Sequence, residues 1–175
     1  MTRLSYVENT ESQDIKKIVK KISSQRDGNL PNLFKMLLQS PKVAEGWFEF
    51  LSSIRNETIL NSRTRELVIL YVALLLNAPY PQNDHVPIAL KEGITKDEID
   101  QLKNWHTSTL YNNRDKALLA YVEESSKNIK VPDNIFMSLR KEYNNREIIE
   151  ITVLIGAYHM VSRFLEALQI DLEVM

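Results

Sequence analysis

The chain has 175 residues, enough for one domain of roughly 100 to 200 residues with a real hydrophobic core. Its 43% hydrophobic and 26% charged residues exclude a disordered tail or a fibrous repeat, and 22 basic against 23 acidic side chains leave no positive field to attract nucleic acid. The absence of cysteine removes disulfides, zinc-thiolate and iron–sulfur sites, and every thiol nucleophile, so any chemistry must use oxygen and nitrogen groups.

The first helix is expected over Glu11–Ser24, where Ile15, Ile18, Val19 and Ile22 recur at three- and four-residue spacing before Gly28 and Pro31 stop it. Leu30–Leu38 reads as a short packed helix. Ser40 followed by Pro41 reads as an N-cap and a first-turn proline, opening a helix through Arg55 whose stripe is Val43, Trp47, Phe48, Leu51 and Ile54. Asn61 or Ser62 caps the next helix. Its body, Glu66–Leu76, is apolar on every side, which predicts the central helix of the fold.

Two prolines in Asn77–Asp84 are expected to interrupt the helix, which resumes near Asp84 with Pro87 in its first turn and Gly93 as a left-handed cap. Thr95 and Glu98 have the spacing of a capping box, opening a short helix through Lys103. Asp115–Ser126, Pro132–Tyr143 and Asn145 to about Leu168 complete the set, and no segment alternates like a strand. Gly156 and Ala157 suggest a tight helix crossing in the last of these. Arg65–Ile69 is faintly echoed by Arg146–Glu150. The expectation is an all-α single domain over residues 1–175, with residues 1–30 as an N-terminal helix and lead-in. The longest apolar run, Leu67–Leu76, is half a membrane span, and Met1–Ser5 leads into a charged stretch, so a cytoplasmic location without membrane association is expected.

Few groups can move protons near neutral pH: three histidines, Tyr80 and some carboxylates. Facing outward, Glu66 would complement the helix dipole. Facing inward, it would be a desolvated acid or base. At about 1.5 Å per helical residue, Glu66 and His85 fall roughly 7 Å apart along the axis of an antiparallel pair, a gap for one water or side chain to bridge. Asp84 reads as a cap pointing away from His85. His159 and Tyr158 lie on the last apolar helix, as core groups or as pocket lining. Arg163 suits a substrate carboxylate or a structural salt bridge. His106 reads as surface, and the histidines are too scattered for a metal site.

The run Arg65–Ile69, then Pro79-Tyr80, His85–Leu90 and Gly93-Ile94, continuing through Tyr158–Phe164, resembles the carboxymuconolactone decarboxylase family of the AhpD-like alkylhydroperoxidase fold. The resemblance covers residues 31–170 and implies an AhpD-like helical bundle. In the peroxidatic branch a glutamate is followed by a CxxC pair and a histidine, positions that correspond here to Glu66, Ala78, Pro81 and His85. Without both sulfurs, thiol peroxidase chemistry is excluded. The resemblance therefore implies the branch that needs no cofactor. There His85 would carry the proton, Glu66 orient or relay it and Tyr80 donate a hydrogen bond; Tyr158, His159 and Arg163, from their own place and chemistry, are the residues expected to hold substrate. It also implies a small-molecule substrate and a homo-oligomer, dimer, trimer or hexamer, through the helices around Glu66–Leu90. The alternative is a non-catalytic binding or interaction protein with the same fold. Pro81-Gln82 departs from the acidic and aromatic residues of many cysteine-free relatives.

Overall fold

The computed structural model describes residues 2–8, 12–26 and 28–173. Among these the chain is helical and contains no strand: α1 Gln13–Ser24, α2 Asn32–Leu37, α3 Pro41–Asn56, α4 Ser62–Leu75, α5 Pro79–Lys91, α6 Lys96–Gln101, α7 Asn113–Asn128, α8 Asp133–Glu142 and α9 Asn145–Leu168, with a 3-10 turn at Leu102–Asn104. They form two compact units. One gathers the residues up to Glu57 with those from Phe164 onward, and the other is Thr58–Arg163.

In the first unit, α1 buries Ile18 and Ile22, two of the residues its spacing selects. Ser12 caps it. The expected start at Glu11 lies outside the described residues. Phe34 of α2 meets Phe48 of α3 edge to face at 5.9 Å. Pro41 opens α3 as expected, but Ser40 makes no side-chain cap bond, so the proline's fixed φ sets this start without a hydroxyl cap. The lead-in is pinned to the last residue of α9 and to the segment after it: the Arg3 amide donates to the Leu168 carbonyl at 3.0 Å, and the Asp171 amide donates to the Tyr6 hydroxyl at 3.0 Å.

In the second unit, α4 is the central element and packs against α5 and α7. Every residue from Glu66 to Ala73 is buried, as an all-round apolar helix requires. Asn61 caps it, its side chain accepting from the Thr64 amide at 2.8 Å. The N-terminal turn of α4 is locked by a half-buried ion cluster, in which Arg63 Nη2 lies 2.5 Å from Glu98 and 2.8 Å from Asp115. Glu98 also closes the capping box with Thr95, so one carboxylate joins the starts of α4 and α6.

Two expectations about this unit need correction. Helix α5 begins at Pro79, well before Asp84, because the first turn's N–H groups have no intrahelical partner and Pro79 and Pro81 give up nothing there. Asp84 consequently lies inside the helix and is not its cap, and Pro87 sits in the interior. His85 is thereby a mid-helix residue. Gly93 closes α5 at φ 89°, with the Ile94 amide bonded to the Ala89 carbonyl at 3.0 Å and the Gly93 amide to Leu90 at 3.1 Å. The tight crossing expected at Gly156 is also absent: the residue is on an exposed face, and a β-carbon there would meet no atom within 4 Å. Ala157 is the buried neighbour.

Helix α9 is long and apolar enough to cross a membrane, with a mean hydropathy of 1.4 over its most apolar window, half of which is buried in the fold.

Candidate active site

Glu66 enters the core because α4 has no polar face to carry it outward. It is 2% exposed. His85, 5% exposed, reaches it from α5, with Nδ1 2.7 Å from Glu66 Oε2. The bridged gap expected from helix rise is replaced by direct contact between the two side chains. The other carboxylate oxygen of Glu66 lies 3.5 Å from the Arg65 guanidinium. From α9, the Tyr158 hydroxyl reaches Nε2 of His85 at 2.9 Å, and the two rings meet edge to face at 5.2 Å.

The three side chains form one hydrogen-bonded line, Glu66–His85–Tyr158, contributed by three helices and buried throughout. An ionised carboxylate can only accept, and with Glu66 in that form Nδ1 of His85 carries a proton. In the neutral ring, Nε2 then accepts from the Tyr158 hydroxyl. In the imidazolium it donates to the phenolic oxygen. Acid, imidazole and hydroxyl stand in the order of a catalytic triad, with a phenol in the place of the serine.

Tyr80 is buried on α5, five residues before His85 and about 140° around the helix by its 3.6-residue turn. His159 and Arg163 form a separate pair one turn along α9, with Arg163 Nη1 2.6 Å from His159 Nδ1. Burial, and then the nearby guanidinium, hold His159 below its ordinary pKa. His106 is exposed as expected, stacked on Trp105 at 3.7 Å and 3.0 Å from Glu123. No group of three metal-binding side chains occurs among the described residues.

Sequence reasoning grouped Tyr158 with the substrate-binding residues and missed its place on the proton line. The available signal was that Ile151, Leu154 and Ile155 put Tyr158 on the buried face of α9, where a tyrosine hydroxyl needs a partner. Ser162, 1% exposed and four residues further, was missed altogether. Two clefts of about 430 Å³ lie in the first unit, one beside Gly28, Pro31 and Lys35, the other beside Lys17, Pro41 and Glu45. Neither includes a residue of the proton line.

The helices and their site define an AhpD-like all-α protein whose buried acid–histidine pair has no accompanying thiol. The model of the carboxymuconolactone decarboxylase family matches residues 41–124. Among solved structures, an uncharacterized peroxidase-related protein from Silicibacter sp. TM1040 is similar at 16% identity and TM-score 0.83, over 99% of this chain and 92% of that one. The alkylhydroperoxidase AhpD core of a peroxidase-related protein from Ralstonia eutropha JMP134 matches at 17% and 0.82, over 98% and 92%. A cysteine-to-alanine variant of the debrominase Bmp8, in complex with 2,3,4-tribromopyrrole, matches at 18% and 0.82, over 99% and 93%. No curated protein matches the chain.

Proposed function

We propose that this protein is a cofactor-independent enzyme that moves a proton on a small organic acid or carboxylated lactone, a lyase of the decarboxylating kind. The buried line from Glu66 through His85 to Tyr158 carries the reading. A buried carboxylate is costly unless paired, and here it is paired with an imidazole, the side-chain type whose ordinary pKa lies nearest neutrality.

Starting from the imidazolium, loss of carbon dioxide from the substrate leaves a carbanion or enolate. Tyr158 protonates that carbon, His85 returns a proton to Tyr158 from Nε2, and the neutral ring keeps Nδ1–H on Glu66. One proton from solvent then restores the imidazolium. In this reading His85 is the proton carrier, Glu66 holds its tautomer and stabilises its charge, Tyr158 is the terminal relay, and Tyr80 supplies a second hydroxyl. No thiol is required, which accords with a chain that has none.

A second reading, a non-catalytic small-molecule or protein binder, is favoured by one observation: both ring nitrogens of His85 are engaged within the fold. A screen of carboxylated lactones against wild type and His85→Ala separates the two. The enzyme reading expects carbon dioxide release by wild type and its loss in the variant. No turnover by wild type would favour the binder, and equal turnover by both would remove His85 as the proton carrier. A cytoplasmic homo-oligomer belongs to the same reading. Ile88 and Leu90, 41% and 44% exposed on α5, support an interface there, which sedimentation of an Ile88→Asp, Leu90→Asp double variant tests.

A further inference from the structure

The proton line ends in a carboxylate whose charge has to be balanced inside the fold. Glu66 is buried, and an isolated ionised carboxyl in such a place would take up a proton and become neutral. Among the described residues, two side chains that can carry positive charge lie within ion-pair distance of it: His85, with Nδ1 2.7 Å from Oε2, and Arg65, with Nε 3.5 Å from Oε1. The imidazole is charged in only part of the proposed cycle. The guanidinium is charged throughout.

Arg65 and Glu66 are neighbours on α4, and successive helical residues point about 100° apart, so sequence spacing does not impose their contact. The arginine head is turned to the carboxylate oxygen that His85 leaves open. Its side chain is 19% exposed, so little water screens that charge. Arg63, two residues earlier, pairs with Glu98 and Asp115, so the two arginines of this turn serve different carboxylates.

The two states of the line differ in net charge. With the imidazolium present, Glu66, His85 and Arg65 together carry one positive charge. Once Nε2 has returned its proton to Tyr158, the carboxylate and the guanidinium cancel. Without the guanidinium that second state would be a lone buried anion, the least favourable arrangement at a site shielded from water. The pair would then rest as a neutral acid and a neutral imidazole, with Glu66 donating to Nδ1 and the ring proton on Nε2. It could release a proton only by forming the lone anion.

We propose that Arg65 is a positioning residue of the line: its charge keeps Glu66 ionised, which fixes a proton on Nδ1 and lets Nε2 give its own away. Its place in turnover rests on the acid–base reading, while the charge of Glu66 is measurable without a substrate.

The test compares wild type, Arg65→Gln and Arg65→Lys as full chains at neutral pH, by carbon-13 NMR of the Glu66 carboxyl and nitrogen-15 NMR of the His85 ring. Wild type should show an ionised carboxylate. Arg65→Gln removes the charge but keeps a polar side chain, and should move the carboxyl signal to the protonated form and leave Nδ1 as an acceptor. Arg65→Lys returns a cation in a different shape and should resemble wild type. A residue needed only for packing would not separate the two variants. A protonated Glu66 in wild type, an ionised one in Arg65→Gln, or the same displacement in both variants would overturn the proposal, and the first of these requires no variant to fold. On a carboxylated lactone that wild type turns over, kcat should fall by about tenfold or more in Arg65→Gln, with recovery in Arg65→Lys. Unchanged turnover in Arg65→Gln overturns the role of Arg65 and leaves the acid–base reading standing. The expected spectra without turnover of any lactone uphold Arg65 as the group that keeps Glu66 ionised and remove only the acid–base reading.

Discussion

Tyr158→Phe removes one oxygen and leaves the ring that fills the core. Tyr158 is 1% exposed and His85 is 5% exposed, so no solvent replaces the lost hydroxyl at Nε2. A buried acceptor left unpaired costs about 1–3 kcal/mol. For a chain of 150 to 250 residues each kcal/mol shifts the melting temperature by roughly 2–4 °C, which gives a loss of about 2–12 °C. Thermal unfolding followed by circular dichroism at neutral pH measures it, with Tyr6→Phe as the comparison because that hydroxyl bonds Asp171 at the surface. The comparison variant should lose less than about 0.5 kcal/mol. In a His85→Ala background the cost of Tyr158→Phe should fall, since the partner is already gone, with a coupling of about 0.5–3 kcal/mol. An unchanged melting temperature, or equal costs in both backgrounds, would refute the hydrogen bond and the line built on it.

Other outcomes follow from the same geometry. Arg63→Met strands Glu98 and Asp115 at the N-terminal turn of α4 and should cost about 3–5 kcal/mol as measured by urea unfolding, less where water reaches the half-buried guanidinium site. Burial pushes the Glu98 carboxyl up, but bonds from Arg63 and Thr95 outweigh it and hold it below 4.5. The unfolded chain therefore binds that proton first, and stability falls as pH drops below 4.5, less steeply in Arg63→Met. His159 is depressed from 6.5 by burial and by Arg163, so its contribution is present above that pH and is lost as pH falls through the folded pKa. Arg163→Gln should move the folded value upward in an NMR titration. Gly156→Ala should stabilise by about 0.5–1 kcal/mol, because the new methyl meets open space and the helix gains propensity. A loss would mean that something packs there.

How far the sequence could be read follows from where each signal resides. Caps and periodicity are local, which is why Asn61, the Thr95–Glu98 box, the Gly93 turn and the buried run of α4 were legible. The start of α5 was misread because prolines punctuate a helix interior but are tolerated in its first turn, and two such turns look alike on paper. Glu66 and His85 stood out because a carboxylate inside an apolar helix and a histidine after a proline-rich turn are uncommon residues for those places. Tyr158 lies 73 positions from His85, and no periodicity within α9 encodes which ring it meets. Gly156 signalled a close approach that the rotation of α9 does not make, since composition carries no azimuth.

The central claim is that Glu66, His85 and Tyr158 act as one proton line. Nitrogen-15 NMR of the His85 imidazole, in wild type, Glu66→Gln and Tyr158→Phe, tests it without a substrate. The expected result is a proton held on Nδ1, with Glu66→Gln perturbing that nitrogen most and Tyr158→Phe perturbing Nε2. A neutral ring carrying its proton on Nε2, or an Nδ1 signal indifferent to Glu66→Gln, would contradict the account.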